Sequence, residues 1–161
     1  MAEDPKERVD RELKELIEEI RVILPGVQIL GAFLATAAFS TRFKELSDLD
    51  RHTYFVAFAT ALVSAVFLIA PTAQHRLRWR QSDKGDMVEA AHRLTIVGLA
   101  FAAFSLGASS FLVADVVYDA TVATLVTAAI AVAVAVTWCI APLLARHHES
   151  PQSVEPGRRA A

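Results

Sequence analysis

Four long apolar runs separated by short charged segments dominate the pattern along this chain. The runs lie at about residues 22–40, 52–71, 94–114 and 121–145, and charged side chains gather between and beside them. Each run has about twenty residues, and an α-helix rising 1.5 Å per residue crosses roughly 30 Å of hydrocarbon over that length. The pattern predicts an all-α, polytopic membrane protein whose four transmembrane helices form an up-down-up-down bundle.

The first 21 residues predict an amphipathic helix ahead of the first span. Asp4, Pro5 and Glu7 fit the start of a helix with a capping box. Apolar residues then recur at spacings of three and four: Val9, Leu13, Leu16, Ile17 and Ile20. Such a helix can lie on the membrane surface or on the protein's own cytoplasmic loop, and a parallel coiled coil between two copies is the alternative. Pro25 is expected to break the helix where the chain enters the bilayer.

Lysine and arginine residues are distributed unevenly around the spans. Thirteen lie in the N-terminal segment, the loop between spans two and three, and the tail, whereas the other two loops together hold three. Because cytoplasmic segments carry the excess of these residues, both termini are predicted to face the cytoplasm. Residues 146–161, rich in polar residues, proline and glycine, are predicted to form a disordered cytoplasmic tail.

The second and fourth spans end in the same tripeptide. Ile69-Ala70-Pro71 and Ile140-Ala141-Pro142 lie 71 residues apart, and an offset of 72 aligns Arg21 with Arg93 and Gly26 with Gly98. One interpretation is a tandem duplication of a helical hairpin, inserted twice in the same orientation. The other is chance similarity between segments that draw on the same few apolar residues.

Composition narrows the classes of function. A net charge of −2, with basic residues placed at membrane borders, argues against a nucleic-acid partner. The one cysteine, Cys139, lies in an apolar run and is interpreted as a small buried hydrophobic residue. The chain has no zinc-protease motif, no phosphate-binding glycine loop and no nucleophile elbow, so no cofactor, metal site or catalytic residue is predicted.

The densest polar cluster is predicted at the cytoplasmic border of the spans. It comprises Arg21, His75, Arg76, Arg78, Arg80, His92 and Arg93. Such residues set topology and attract anionic lipid headgroups, at about 1 kcal/mol each. The sharper alternative is a pocket for a phosphorylated or carboxylated ligand, with Arg21, Arg76 and Arg93 at similar depth and a histidine sensing pH. On the other side of the membrane, Ser47 and Asp50 resemble a capping box. The acidic residues there could gather cations together with Tyr118, but capping of helix starts is the favoured interpretation: Asp48, Asp50, Asp115 and Asp119.

Polar and small residues inside the spans predict the helix contacts. Gln28 is the only large polar side chain well inside a span, and is expected to make an interhelical hydrogen bond or, alternatively, to touch a substrate. Small residues that let backbones approach are predicted at these contacts: Gly31, Ala35, Gly98, Ala102, Ala103, Gly107, Ala123, Thr127, Ala131 and Ala135.

Several local sequences resemble an uncharacterised family of small four-span membrane proteins from actinobacteria. They are the segment from Leu24 to Gln28, the exit of the first span at Phe39 to Phe43, the Ala70-Pro71-x-x-x-His75-Arg76 ending, and Arg93. The resemblance covers about residues 10–145. It implies the four-span architecture and a bacterial plasma membrane, and it implies no activity.

Three hypotheses of function follow. The first is a non-enzymatic structural, interaction or accessory protein of the cell membrane, with lipid as its partner and homo-oligomerisation left open. The second is a small transporter or channel subunit acting as a homo-oligomer, which requires a polar cavity lined by Gln28, Thr36, Ser64 and Ser105. The third is a lipid-headgroup enzyme at the cytoplasmic face that uses His75 or His92.

Overall fold

The computed structural model describes residues 5–77 and 85–140, and the elements within these ranges are all helical. The helices are α1 (Pro5–Ala37), α2 (Asp48–Leu77), α3 (Gly85–Val117) and α4 (Ala120–Val134), with a 3₁₀ turn at Thr41–Glu45 and a π-helical end to α4 at Ala135–Ile140. All four long helices have the length and apolar composition needed to cross a membrane. The prediction of four membrane-suited helices is confirmed, whereas the predicted tail lies outside the described residues.

Helix α1 is continuous through Pro25, so the predicted break there is wrong. A proline inside a helix removes one backbone hydrogen bond, here the one to the carbonyl of Arg21, and costs about 3 kcal/mol. Contacts on both sides offset that cost: Ile20 before the proline and Val27 after it belong to one buried cluster with Leu68 of α2. Tertiary packing therefore keeps the helix in one piece.

The amphipathic N-terminal part of α1 packs on the protein's own helices. Leu13, Leu16 and Ile20 are buried, and the last two share a cluster with Leu68 of α2 and Ala91 of α3. A helix of 33 residues is about 50 Å long, which exceeds the roughly 30 Å of a hydrocarbon core. At the end of the molecule that carries the start of α1, which we call the inner end, the helices therefore continue beyond the apolar spans. We call the opposite end the outer end.

The interface of α2 with α3 is the most closely packed in the described chain. Ser64 donates a hydrogen bond to the carbonyl of Gly98 at 2.7 Å, and Ser105 donates one to the carbonyl of Ala57 at 2.7 Å. From Ala57 to Ser64 the chain advances along α2, while the bonded positions on α3 go back from Ser105 to Gly98. The two helices therefore run antiparallel. A Cβ atom at Gly98 would lie 2.9 Å from Leu68 Cγ, which shows that only glycine permits this approach.

At the opposite end of the molecule, α1, α2 and α3 meet around Tyr54. Its hydroxyl donates a hydrogen bond to the carbonyl of Leu34 at 2.7 Å, and its ring meets the edge of Phe43 with 4.8 Å between centroids. Leu34, Tyr54 and Leu112 are buried together here. Buried contacts at both ends therefore join the first three helices.

Helix α4 lies at the periphery of this three-helix core. It packs chiefly against α3, where Thr127 Cγ2 would be 3.9 Å from a Cβ atom at Gly107. In the segment Ala120–Val134, Ala123 is the one buried residue. Within the described residues, α4 packs chiefly on α3 and α1 packs chiefly on α2. The up-down-up-down orientation of the bundle stays a prediction. The duplication stays a prediction: α2 continues past Pro71 to Leu77, and Pro142 lies outside the described residues.

Candidate functional site

An apolar groove runs between α1 and α4, with α3 as its floor. Its inner part has a volume of about 640 Å³ and is lined by Ile23, Gly26, Val27, Leu30, Leu99, Ala102, Ala103, Leu106 and Trp138. Its outer part, of about 490 Å³, is lined by Leu30, Phe33, Ser109, Ser110, Val113, Ala114, Val117, Tyr118 and Val126. Leu30 lines both parts, so the groove follows α1 for several turns. We call this feature the α1–α4 groove.

The groove exists because α1 and α4 pack on different sides of α3. The glycine and alanine residues of its inner part, Gly26, Ala102 and Ala103, leave room that larger side chains would fill. A methyl group at Gly26 would meet nothing within 4 Å. The small residues on α3 were expected to bring helices together, and in the inner groove they leave a gap beside α1.

Among the described residues, the lining of the groove offers no carboxylate, imidazole, thiol or amine for acid–base or nucleophilic chemistry. Its two serine hydroxyls are already used within α3, where Ser109 donates to the carbonyl of Ser105 and Ser110 to that of Leu106, both at 2.7 Å. The remaining side chains are apolar apart from Tyr118 at the outer end. The groove suits an apolar occupant, and its volume lies within the range of about 300–1,000 Å³ typical of ligand sites.

The four polar residues of the transport hypothesis do not line one cavity. Ser64 and Ser105 are fully buried and join α2 to α3, whereas Gln28 and Thr36 lie on the exposed surface of α1. Thr36 donates its hydroxyl hydrogen bond to the carbonyl of Ala32, one turn earlier in the same helix. Among the described residues, Gln28 makes no hydrogen bond to another helix. The hydroxyls that do join helices here are those of Tyr54, Ser64 and Ser105.

The predicted basic border is spread along the inner end of the molecule. Arg21, Arg76, His92 and Arg93 are all exposed, and Arg93 pairs with Glu89 one turn earlier in α3. The antiparallel pairing of α2 with α3 places Arg93 opposite Ile69, seven residues before Arg76. Arg76 therefore lies about 10 Å farther along the molecule, so these two arginines do not share one depth. Arg78, Arg80 and the side chain of His75 lie outside the described residues.

His92 faces a hollow of about 510 Å³ between the inner ends of α1 and α3. Val9, Glu12 and Leu16 line it from α1, and Val88, Glu89 and His92 line it from α3. Glu12 accepts a hydrogen bond from Arg8 Nε at 2.9 Å. The hollow therefore places two carboxylates near one imidazole. The sequence pattern, which groups His92 with basic residues, did not predict these acidic neighbours. Among the described residues, no group of three or more potential metal ligands comes together.

At the outer end, Asp50 and Asp115 meet across α2 and α3, which capping alone did not predict. Asp50 is buried, and its carboxylate accepts a hydrogen bond from the Ser47 hydroxyl at 2.7 Å while its other oxygen is buried without a partner. The backbone N–H of Asp50 donates to the same hydroxyl at 3.1 Å, which confirms the predicted cap. The carboxyl group of Asp115 lies near enough to that of Asp50 for the two groups to interact electrostatically. Only the register of the two helices reveals this pair.

Asp119 is a helix cap, as predicted. Its carboxylate accepts hydrogen bonds from the backbone N–H groups of Thr121 at 2.7 Å and Val122 at 3.0 Å. These bonds favour the charged form, so the backbone N–H groups of Val122 and Thr121 lower the pKa of Asp119 below its ordinary value. The turn at Tyr118 and Asp119 is thereby joined to the first turn of α4.

These features define a class of protein: an all-helical chain with four helices suited to a bilayer, a lateral apolar groove, and polar groups that join its helices to one another. The chain belongs to DUF6328, a family of unknown function, whose match covers residues 2–142. No curated protein and no solved structure matches the chain. The predicted resemblance to a family of unknown function is confirmed, while the actinobacterial origin stays a prediction.

Proposed function

We propose that this protein is a non-enzymatic accessory protein of the bacterial plasma membrane that associates with a transmembrane helix of another protein through the α1–α4 groove. The observation that carries this proposal is the open position of α4. Its segment Ala120–Val134 buries one residue against the rest of the chain, and an apolar groove separates it from α1.

The exposed surface of α4 supports association within the bilayer. Leu125, Val132 and Trp138 are exposed, and Trp138 also lines the inner groove. Lipid chains are as apolar as these residues, so helices associate through close packing and hydrogen bonds. A groove floored by glycine, alanine and serine gives an additional helix the close approach that such packing needs.

A photo-reactive residue placed in the groove tests this proposal. Leu106 lines the inner groove, whereas Phe104, two residues earlier in α3, is exposed to a comparable degree and lies outside the groove. We expect the photo-reactive variant at Leu106 to form a crosslink to a second protein in native membranes, and the matched variant at Phe104 to label lipid. Lipid as the sole product at both positions would refute the groove as a protein-binding site.

The transport alternative gains no support from one copy of the chain. Both parts of the α1–α4 groove have predominantly apolar linings, and two of the four residues that would line a polar path are buried between α2 and α3. A path formed between copies would have to use Gln28 and Thr36, because these lie on the outer surface of α1.

The exposed basic residues support contact with anionic lipid headgroups at the cytoplasmic face. Arg21 lies beside the buried Ile20, and Arg93 lies close to Ala91 of the same cluster, so both arginines lie near the level where the apolar spans begin. We propose that both termini face the cytoplasm, on the basis of the arginine and lysine distribution. A periplasm-specific reporter that is active when fused after Ala145 would contradict this orientation.

A further inference from the structure

Gln28 presents a polar amide on the membrane-facing surface of α1. It lies seven residues from Arg21, about 10 Å farther along the helix, and is exposed. A side-chain amide carries two donor hydrogens and an acceptor oxygen, and hydrocarbon satisfies none of them. Within the described part of the chain, no other helix supplies a partner. In a bilayer, the Gln28 amide would therefore be stabilised by a hydrogen-bonding partner from outside the chain.

The residues around Gln28 allow another helix to come close. Ala32 and Thr36 follow at intervals of four on the same exposed face, and the Thr36 hydroxyl bonds back to the carbonyl of Ala32. Gly31 is buried beside this face, and a methyl group there would meet nothing within 4 Å. Glycine costs about 1 kcal/mol relative to alanine within a helix, and packing inside the chain does not require it here.

We infer that the chain self-associates through this face of α1, with Gln28 of one copy hydrogen-bonded to Gln28 of a second copy. An amide is both donor and acceptor, so two copies related by a twofold axis can satisfy each other with two equivalent hydrogen bonds. The face lies on the opposite side of α1 from Leu30 and the groove. This inference rests on the proposed function in one respect, because it assumes that the protein associates with other helices within the bilayer. It adds that one partner is a second copy of the chain.

Disulfide crosslinking locates the face that pairs. The chain has a single cysteine, so Cys139→Ser provides a cysteine-free background. Ala32→Cys is compared with Leu30→Cys, which lies at nearly the same depth on the groove side of α1. At a low protein-to-lipid ratio with copper phenanthroline as oxidant, we expect dimers from Ala32→Cys and little product from Leu30→Cys, because a disulfide requires Cα atoms within about 7 Å. Equal yields, or a higher yield from Leu30→Cys, overturn the inference.

Energy transfer between labelled copies in lipid vesicles measures the contribution of the amide. We expect Gln28→Leu to raise the dimer dissociation constant about tenfold, since two interhelical hydrogen bonds are lost. Gln28→Asn, which keeps the amide, should retain part of the affinity, and Thr36→Val should have little effect because its hydroxyl bonds within α1. An unchanged constant for Gln28→Leu overturns the role of Gln28.

The two proposals fail separately. A chain that is monomeric in vesicles, but still crosslinks to another protein from Leu106, loses the self-association and keeps the proposed function. A chain that dimerises through Gln28, but labels only lipid from Leu106, loses the groove as a docking site.

Discussion

The α2–α3 interface and the α3–α4 interface are held together in different ways. Ser64 and Ser105 cross the first with hydrogen bonds to backbone carbonyls, and Gly98 lets the backbones approach. At the second, the threonine hydroxyl of Thr127 is buried without a partner, and a methyl group at Gly107 would fit at ordinary contact distance. Both interfaces contain small residues and hydroxyl groups. Only at the α2–α3 interface do the hydroxyl groups bond across to the other helix and does a glycine bring the two backbones into close approach.

The difference shows what holds helices together in an apolar solvent. Burial of apolar surface rewards helix association very little in lipid, so close backbone approach and hydrogen bonds decide which contacts are firm. Helices α2 and α3 have both. Helix α4 has neither a close backbone approach nor a hydrogen bond of this kind to α3 among the described residues. Its surface can therefore pack against another helix.

Substitution of Gly98 should produce the largest contrast between the two interfaces. In Gly98→Ala the new Cβ would lie 2.9 Å from Leu68 Cγ and 3.3 Å from the Leu68 backbone nitrogen, so α2 and α3 must separate. We expect a loss of about 1–3 kcal/mol in the free energy of unfolding, as for other overpacked sites. Denaturation in mixed micelles, followed by circular dichroism, measures it.

Gly107→Ala is the matched control on the same helix. Its new methyl group would contact Thr127 Cγ2 at 3.9 Å, which is ordinary van der Waals distance, so stability should hold or rise slightly. Equal losses for both variants would contradict the distinction between the two interfaces.

Removal of the two crossing hydroxyls should have a smaller effect. Ser64→Ala and Ser105→Ala each remove one interhelical hydrogen bond, and such bonds in membrane proteins contribute about 0.6 kcal/mol on average and about 1.7 kcal/mol at most. We expect the double variant to lose roughly the sum, measured by the same denaturation.

Ser110→Ala serves as the control for these variants, since its hydroxyl bonds only to the carbonyl of Leu106 within α3. If the double variant were as stable as Ser110→Ala, close packing alone would account for the α2–α3 interface.

The smallest expected effect is the pH dependence of the start of α4. The pKa of Asp119 is lowered in the folded protein, so its capping contribution is complete above the unfolded pKa of about 4 and is lost as the pH falls through the lower, folded value. The wild-type protein should therefore lose stability below about pH 4 relative to Asp119→Asn, whose amide caps without titrating. Parallel pH profiles of the thermal midpoint for the two proteins would rule out this contribution.

Several features of the site could be predicted from the residues alone, and others could not. The caps at Ser47 and Asp119 follow from local spacing, because each bonds to backbone groups two or three residues away. Pro25 shows the limit of local reasoning, since contacts at Ile20 and Val27 outweigh the missing hydrogen bond. The meeting of Asp50 with Asp115 depends on the register of α2 with α3, which no local pattern encodes.

The sequence by itself determined the number of membrane-suited helices, because an apolar run long enough for a bilayer has no other satisfactory backbone structure there. Only the tertiary structure decided that α1 stays continuous, that α2 and α3 form the firm interface, and that α4 stands apart with the groove beside it. The physical reason is that apolar helix faces are nearly equivalent in lipid. The choice among them depends on shape and on single hydrogen bonds such as that of Ser64, which become visible only when the helices are placed together.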